Sequence, residues 1–301
     1  MRFLAVLAAV AVLTPATAHA QADKKAVAPT TCAALVKSIG LFAVEADSTV
    51  EDLETGCKLT NVFIGAGSMT RYRIGEATLI APELFTSYNN DSLPTEIDLS
   101  VKGLRLAPDT GSLMTDYMIE VQAQQLDVHL AYRWDKQKRT VDLADFSVAA
   151  SDYDASFRVS GRFSDAEMDP DQFFDLTRLP GAMEELIVEV IDARFLSSMT
   201  VPFILNSLPY DEDPRPLIDG YKKSAVAFIA ALPDDNVPGD AKAALTSFVE
   251  AFPKMVGDYT LTVRADPPLE FSALAIDGPA DIPALLSRLQ IAADHTPPKL
   301  P

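Results

Sequence analysis

Residues 121–148 read VQAQQLDVHLAYRWDKQKRTVDLADFSV, and the spacing of their apolar side chains decides how the chain is read. Val121 and Ala123 alternate as in a half-buried strand, and Leu126 and Val128 resume the alternation one residue out of phase. Val141, Leu143, Phe146 and Val148 repeat the spacing. Side chains of a strand alternate faces, so a three-residue step keeps one face buried only if an extra residue bulges out. The same pattern recurs at Tyr72, Ile74, Ala77 and Leu79, at Leu99, Val101, Leu104 and Leu106, and at Leu269, Phe271, Leu274 and Ile276. Its repetition predicts long, bulged strands in a strongly curved, mostly antiparallel sheet.

Strands are expected over 58–65, 72–80, 96–106, 116–132, 139–149 and 155–163, separated by turn-forming breaks such as Asn89-Asn90-Asp91 and Asp135-Lys136-Gln137-Lys138. A helix capped by Thr31 precedes them, with Leu35, Val36 and Ile39 at helical spacing. Beyond residue 168 the texture turns helical. Asp169-Pro170 reads as a cap with a first-turn proline ahead of Phe173, Phe174 and Leu176, and one more strand is expected over 186–191. Residues 201–208 are almost entirely apolar. Leu217, Tyr221, Phe228 and Leu232 mark one amphipathic helix, and Ala241, Ala244, Leu245, Phe248, Val249 and Phe252 another. A terminal hairpin over 259–263 and 269–276 is expected to turn on Pro267-Pro268. Asp281 then caps a last helix with Ile282, Leu285, Leu286 and Leu289 on one face. The fold class is α+β, with amphipathic helices packed on one face of the curved sheet.

At the N-terminus, Arg2, the apolar run 3–13, Pro15 and Ala18-His19-Ala20 have the grammar of a secretory signal peptide over residues 1–20. A flexible leader over 21–31, a single domain over 32–292 and a disordered tail over 293–301 complete the expected organisation, with a periplasmic or secreted location. No later apolar run reaches the roughly 18–20 residues that a membrane-spanning helix needs. In an oxidising compartment Cys32 and Cys57, the two cysteines of the chain, are expected to form one disulfide. Without Arg2 the chain holds 24 basic against 43 acidic residues, a net charge of about −19. That balance disfavours nucleic acid and anionic lipid surfaces as partners, because both recruit clusters of Lys and Arg.

Motifs for catalysis are missing: there is no G-x-S-x-G elbow, no H-E-x-x-H, no P-loop and no C-x-x-C. Gly65-Ala66-Gly67-Ser68 reads as a hairpin turn, His129 as a strand residue and His295 as part of the tail. Asp152-Tyr153-Asp154, Asp169-Pro170-Asp171 and Asp211-Glu212-Asp213 lack the twelve-residue calcium-loop pattern and read as turn or cap carboxylates. Trp134 is expected to pack over a hairpin end. No catalytic residue, metal ligand or cofactor is therefore assigned, and the protein is expected not to be an enzyme.

What the composition offers instead is apolar surface. A curved sheet has a concave side, and helices carrying Phe173, Phe174, Phe203 and Phe248 can lid it. The expected function is to bind or carry a lipid or acyl chain in a groove lined by Leu126, Val128, Phe146, Val148, Phe228 and Phe248. The alternative is an envelope adaptor with a packed core that acts through protein–protein contacts.

The segment LDVHLAYRWD at 126–135, followed by TVDLADF at 140–146, resembles the strand-turn-strand texture of uncharacterised secreted proteins of Gram-negative bacteria. More distantly it resembles AsmA-like envelope proteins, whose curved sheets form lipid grooves. The likeness covers roughly residues 58–163 and the final hairpin. It implies a lipid-handling sheet but carries no functional residue across. The chain departs from AsmA-like proteins in being shorter and in lacking a membrane anchor after signal cleavage.

Overall fold

A computed structural model of the chain describes residues 28–65, 71–168, 180–206, 208, 213–274 and 281–298. The expected signal peptide, the turn at 66–68, the capped helix at 169–176 and Ile276 lie outside these residues. The described residues form eleven strands, all paired antiparallel and not closed into a barrel, and seven α-helices, so the fold is α+β with sheet dominant. Two compact units are present: Met1–Asp152 with Asp165–Pro180, and Tyr153–Ser164 with Gly181–Pro301.

The first unit contains α1 (Cys32–Ile39), β1 (Phe42–Ala43), β2 (Thr49–Leu53), β3 (Gly56–Ile64), β4 (Tyr72–Ile80), α2 (Leu84–Asn89), β5 (Glu96–Leu106), α3 (Leu113–Gln122), β6 (Leu126–Asp135) and β7 (Thr140–Ala150). β1 and β2 both pair with β3, from which the sheet continues in chain order to β7. Helix α1 starts where Thr31 Oγ1 accepts the Ala34 N–H and stops at Gly40, which adopts the left-handed conformation (φ 70°) favoured at helix ends. Its buried face is Cys32, Leu35, Val36 and Ile39, and Cys32 is disulfide-bonded to Cys57 on β3 as expected. These side chains join Val62, Leu84, Leu93, Ile97, Leu99 and Val101 in one core.

Three-residue steps between buried positions lie side by side in this sheet: Leu59 to Val62, Ile74 to Ala77 and Val101 to Leu104. Between them stand Asn61 (φ 52°), Gly75 and Gly103 (φ 65°). A Cβ on Gly75 would lie 3.1 Å from the Lys102 carbonyl oxygen, so the strands approach here more closely than a side chain easily permits. The β5–β6 register shifts by one residue between Val101 and Leu104, and the β6–β7 register shifts opposite Leu143 and Phe146. Both steps are therefore the expected bulges, and both keep their apolar residues on the core side.

The step from Ala123 to Leu126 is not. Residues 113–122 are helical and take over the start of the strand expected at 116–132, because Ser112 Oγ accepts the Thr115 N–H and Asp116 occupies the first turn. Leu, Met, Glu and Gln there are also good helix formers.

The second unit contains β8 (Ser156–Ser164), β9 (Ala182–Ile191), α4 (Ala193–Asn206), α5 (Pro214–Ala231), α6 (Gly239–Ala251), β10 (Asp258–Glu270), a 3-10 turn (Phe271–Leu274), α7 (Asp281–Leu286) and β11 (Leu289–Thr296). Its strand order is β8-β9-β10-β11. Ala241 and Ala244 of α6 pack with Val237 and with Ala293 of β11. The expected hairpin at Pro267-Pro268 is corrected, since β10 continues through both prolines. They are tolerated because the β11 ladder ends at Ala265 and the β9 register jumps from Arg264 to Leu269, so no ladder bond needs their missing N–H. Phe271 and Leu274 lie in the 3-10 turn and are not a bulged strand pair. The true partner of β10 is β11, which occupies the end of the expected last helix and residues 293–296 of the expected tail.

Candidate functional site

Among the described helices of the first unit, α3 alone contributes no buried residue. Leu113, Met114, Tyr117, Met118 and Val121 form an exposed apolar ridge on it, with Leu113 90% and Val121 66% exposed. On its other side a cavity of about 350 Å³ opens between α3 and strands β4, β5 and β6. Tyr72, Leu104, Leu106, Ile119, Ala123 and Leu126 give it an apolar lining, and Arg105, Gln122 and Gln124 complete it. Its volume falls within the ~300–1,000 Å³ of ordinary ligand pockets.

The polar groups here are arranged unevenly. Arg105 Nη2 donates to Glu120 Oε1 of α3 at 2.6 Å, and Arg73 Nη1 lies 3.7 Å from the same oxygen. Arg73 also reaches Asn61 Oδ1 at 3.2 Å and Asp47 at 3.5 Å. Arg105 Nε, in contrast, is buried without a hydrogen-bond partner among the described residues. A buried donor left unpaired costs about 1–3 kcal/mol.

Of the six residues expected to line a groove, only Leu126 lines this cavity. Val128 is buried in the core of the first unit, against which Leu126, Phe146 and Val148 pack. Phe228 and Phe248 belong to the second unit. Phe228 is 39% exposed on α5, and Phe248 packs edge-on against Tyr259 at 5.1 Å. The strand residues thus form one set, and the two phenylalanines have separate surroundings.

Both histidines among the described residues have defined partners. His129 bridges two carboxylates across three strands, with Nδ1 2.5 Å from Asp145 and Nε2 3.0 Å from Asp98. Burial, the largest single influence, opposes its charge, but hydrogen bonds and charge from Asp145 and Asp98 together outweigh it and raise its pKa. His295 lies on β11, not in a loose tail. Its Nδ1 is 3.1 Å from Ser247 Oγ on α6 and its ring stacks on Tyr259 at 4.3 Å. Ser247 also lines an open cleft of about 740 Å³ with Lys242 and Glu250. The distance suits a nucleophile and base, yet His295 Nε2 is buried with no hydrogen-bond partner among the described residues, so no acceptor orients the ring for that task.

Trp134 packs against the first core with Lys136 Nζ 4.9 Å from its ring centroid. Asp213 caps α5 by accepting the Arg215 N–H at 3.1 Å, while Asp211 and Glu212 lie outside the described residues. No group of three or more His, Cys, Asp or Glu side chains is placed to hold a metal ion among the described residues. No family model, curated protein or solved structure matches the chain.

The pocket was hidden in the sequence because 116–123 was read as part of a strand. The helical repeat Leu113, Tyr117, Val121 beside Met114, Met118 could have revealed it.

Proposed function

We propose that the protein is a non-enzymatic carrier that binds a lipid or acyl chain between the bulged sheet and helix α3. The observation that carries this reading is the apolar cavity of about 350 Å³ roofed by a helix with no buried residue. An apolar lining supplies the affinity, because each methylene of a chain removed from water contributes about 0.8 kcal/mol. A loosely held roof supplies access, since elements with few buried contacts open at low free-energy cost. Bulges at Gly103 and Ala144 would bend their strands, and the concave surface of a curved sheet would extend the cavity. A secreted or periplasmic location fits the disulfide and the N-terminal grammar. In that setting such a carrier would move acyl chains through water.

A test is native mass spectrometry of the protein purified from the cells that produce it, alongside an Ala123→Trp variant that fills the cavity. Acyl-chain adducts on the parent that vanish in the variant are the expected result. A parent free of adducts, with no uptake of added acyl chains, would refute the reading.

The exposed apolar ridge of α3 favours a second reading, an adaptor of the envelope that docks another protein through this helix. Under it, Leu113→Asp with Val121→Asp would abolish partner capture while Ala123→Trp would leave it intact.

A further inference from the structure

We propose that the cavity beneath α3 selects an acyl ligand ending in a carboxylate, held by the guanidinium of Arg105; this rests on the carrier reading. Arg105 lines the cavity and is anchored on β5, with its side chain only 18% exposed. One donor of its guanidinium is spent on Glu120, and the buried Nε–H is not. Guanidinium donors form a rigid planar fork, so the Glu120 bond fixes the plane in which the remaining donors lie. A carboxylate oxygen is the acceptor that gains most from such a donor, because a charge-assisted bond is about twice as strong as a neutral one.

The charge around the site agrees. Arg73 and Arg105 share Glu120, leaving this trio one positive charge in excess. Asp47, the remaining acidic neighbour, touches only Arg73, at 3.5 Å, and its side chain is 60% exposed, so solvent screens it. An anionic head group neutralises the trio while its tail lies against Leu104, Leu106, Ile119 and Leu126. An alcohol of the same chain length would satisfy the tail and leave the charge unanswered.

The experiment is displacement of a neutral naphthylamine fluorophore by decanoate or decanol at pH 8, with the folded state followed by circular dichroism. On the parent protein decanoate should bind at least tenfold more tightly than decanol. Arg105→Gln should remove that preference. Glu120→Gln should tighten decanoate several-fold, since it removes a like charge and a competing acceptor. That variant leaves Arg105 in place and keeps the test decisive should Arg105→Gln fail to fold. Equal affinity for acid and alcohol on the parent, or a preference that survives loss of Arg105, would overturn the inference and leave the carrier reading standing. If neither compound displaces the fluorophore, the carrier reading falls and this assignment falls with it.

Discussion

The Asp127 carboxylate accepts the backbone N–H of Gly103 at 2.9 Å, closing the bulge where β5 carries one residue more than β6. The same oxygen accepts the Ser151 hydroxyl at 2.9 Å, so one side chain satisfies a donor that the interrupted ladder leaves behind. Asp127→Ala should lower the unfolding free energy by about 1–3 kcal/mol, whereas Asp127→Asn keeps an acceptor oxygen and should recover part of that loss. Gly103→Ala should cost about 1–2 kcal/mol from its left-handed φ of 65° alone, since the nearest atom to the added Cβ would be 3.7 Å away. Urea midpoints at unchanged slope measure each effect; an unchanged midpoint in Asp127→Ala would remove the bulge from the list of stabilising features.

His129 gives stability a pH dependence. Its folded pKa is raised by Asp145 and Asp98, so its contribution is complete below the unfolded value of about 6.5 and is lost as pH rises through the folded value. Stability should therefore decline above about pH 6.5 in the parent, and the decline should shrink in His129→Gln. Thermal melts across that window check the sign, and the opposite slope would show that burial outweighs the two carboxylates.

Reduction of the Cys32–Cys57 disulfide, which closes a sequence separation of 25 residues, should cost about 3.5 kcal/mol through the less restricted unfolded chain. The folded state should survive, because the first core extends well beyond α1 to Leu93, Ile97 and Leu99. Near-ultraviolet circular dichroism before and after reduction follows this; complete loss of the tertiary signal would mean that α1 holds the unit together.

Hydrogen exchange should separate α3 from its neighbours. Its amides should exchange at least tenfold faster than those of β5, since no α3 side chain is buried, and an acyl ligand in the cavity should narrow the gap. Uniform protection across α3 and β5 would contradict a roof that opens.

Val128 and Phe228, both expected to line one groove, should respond differently to a charge. Val128→Asp places a carboxylate in a core position 6% exposed and should destabilise by several kcal/mol, about 3–5. Phe228→Asp, at a position 39% exposed, should stay within about 1 kcal/mol. Chemical denaturation of the two variants would expose any error in these placements.

The sequence pattern was a good guide where an apolar step coincided with Gly103 or with the Leu143–Phe146 bulge, because period-two alternation leaves one explanation for a slipped phase. It misled at 121–126, where the same spacing arises from the end of one helix and the start of the next strand. Leu113, Tyr117 and Val121 already held the helical repeat, but no burial reinforces it. At the C-terminus the prolines drew attention to a turn, while the burial alternation of β11 from Leu289 to Thr296 ran unread beneath an assumed helix end and tail. That misplacement also hid the contact between His295 and Ser247. Arg105 could not be singled out in advance, since an unpaired Nε is a property of three-dimensional packing and leaves no trace in composition.

An apolar ridge on a chain of net charge −18 sets two colloidal forces against each other. Copies of the protein repel at low ionic strength, which keeps the ridges of α3 apart despite their water-exposed methyl and aromatic groups. Salt shortens the range of that repulsion to about 8 Å at physiological strength, and acid near the isoelectric point of 4.5 removes its source. Solubility is thus governed by the surface charge and not by concealment of the ridge, so purification and storage conditions will determine whether monodisperse protein or clusters are handled.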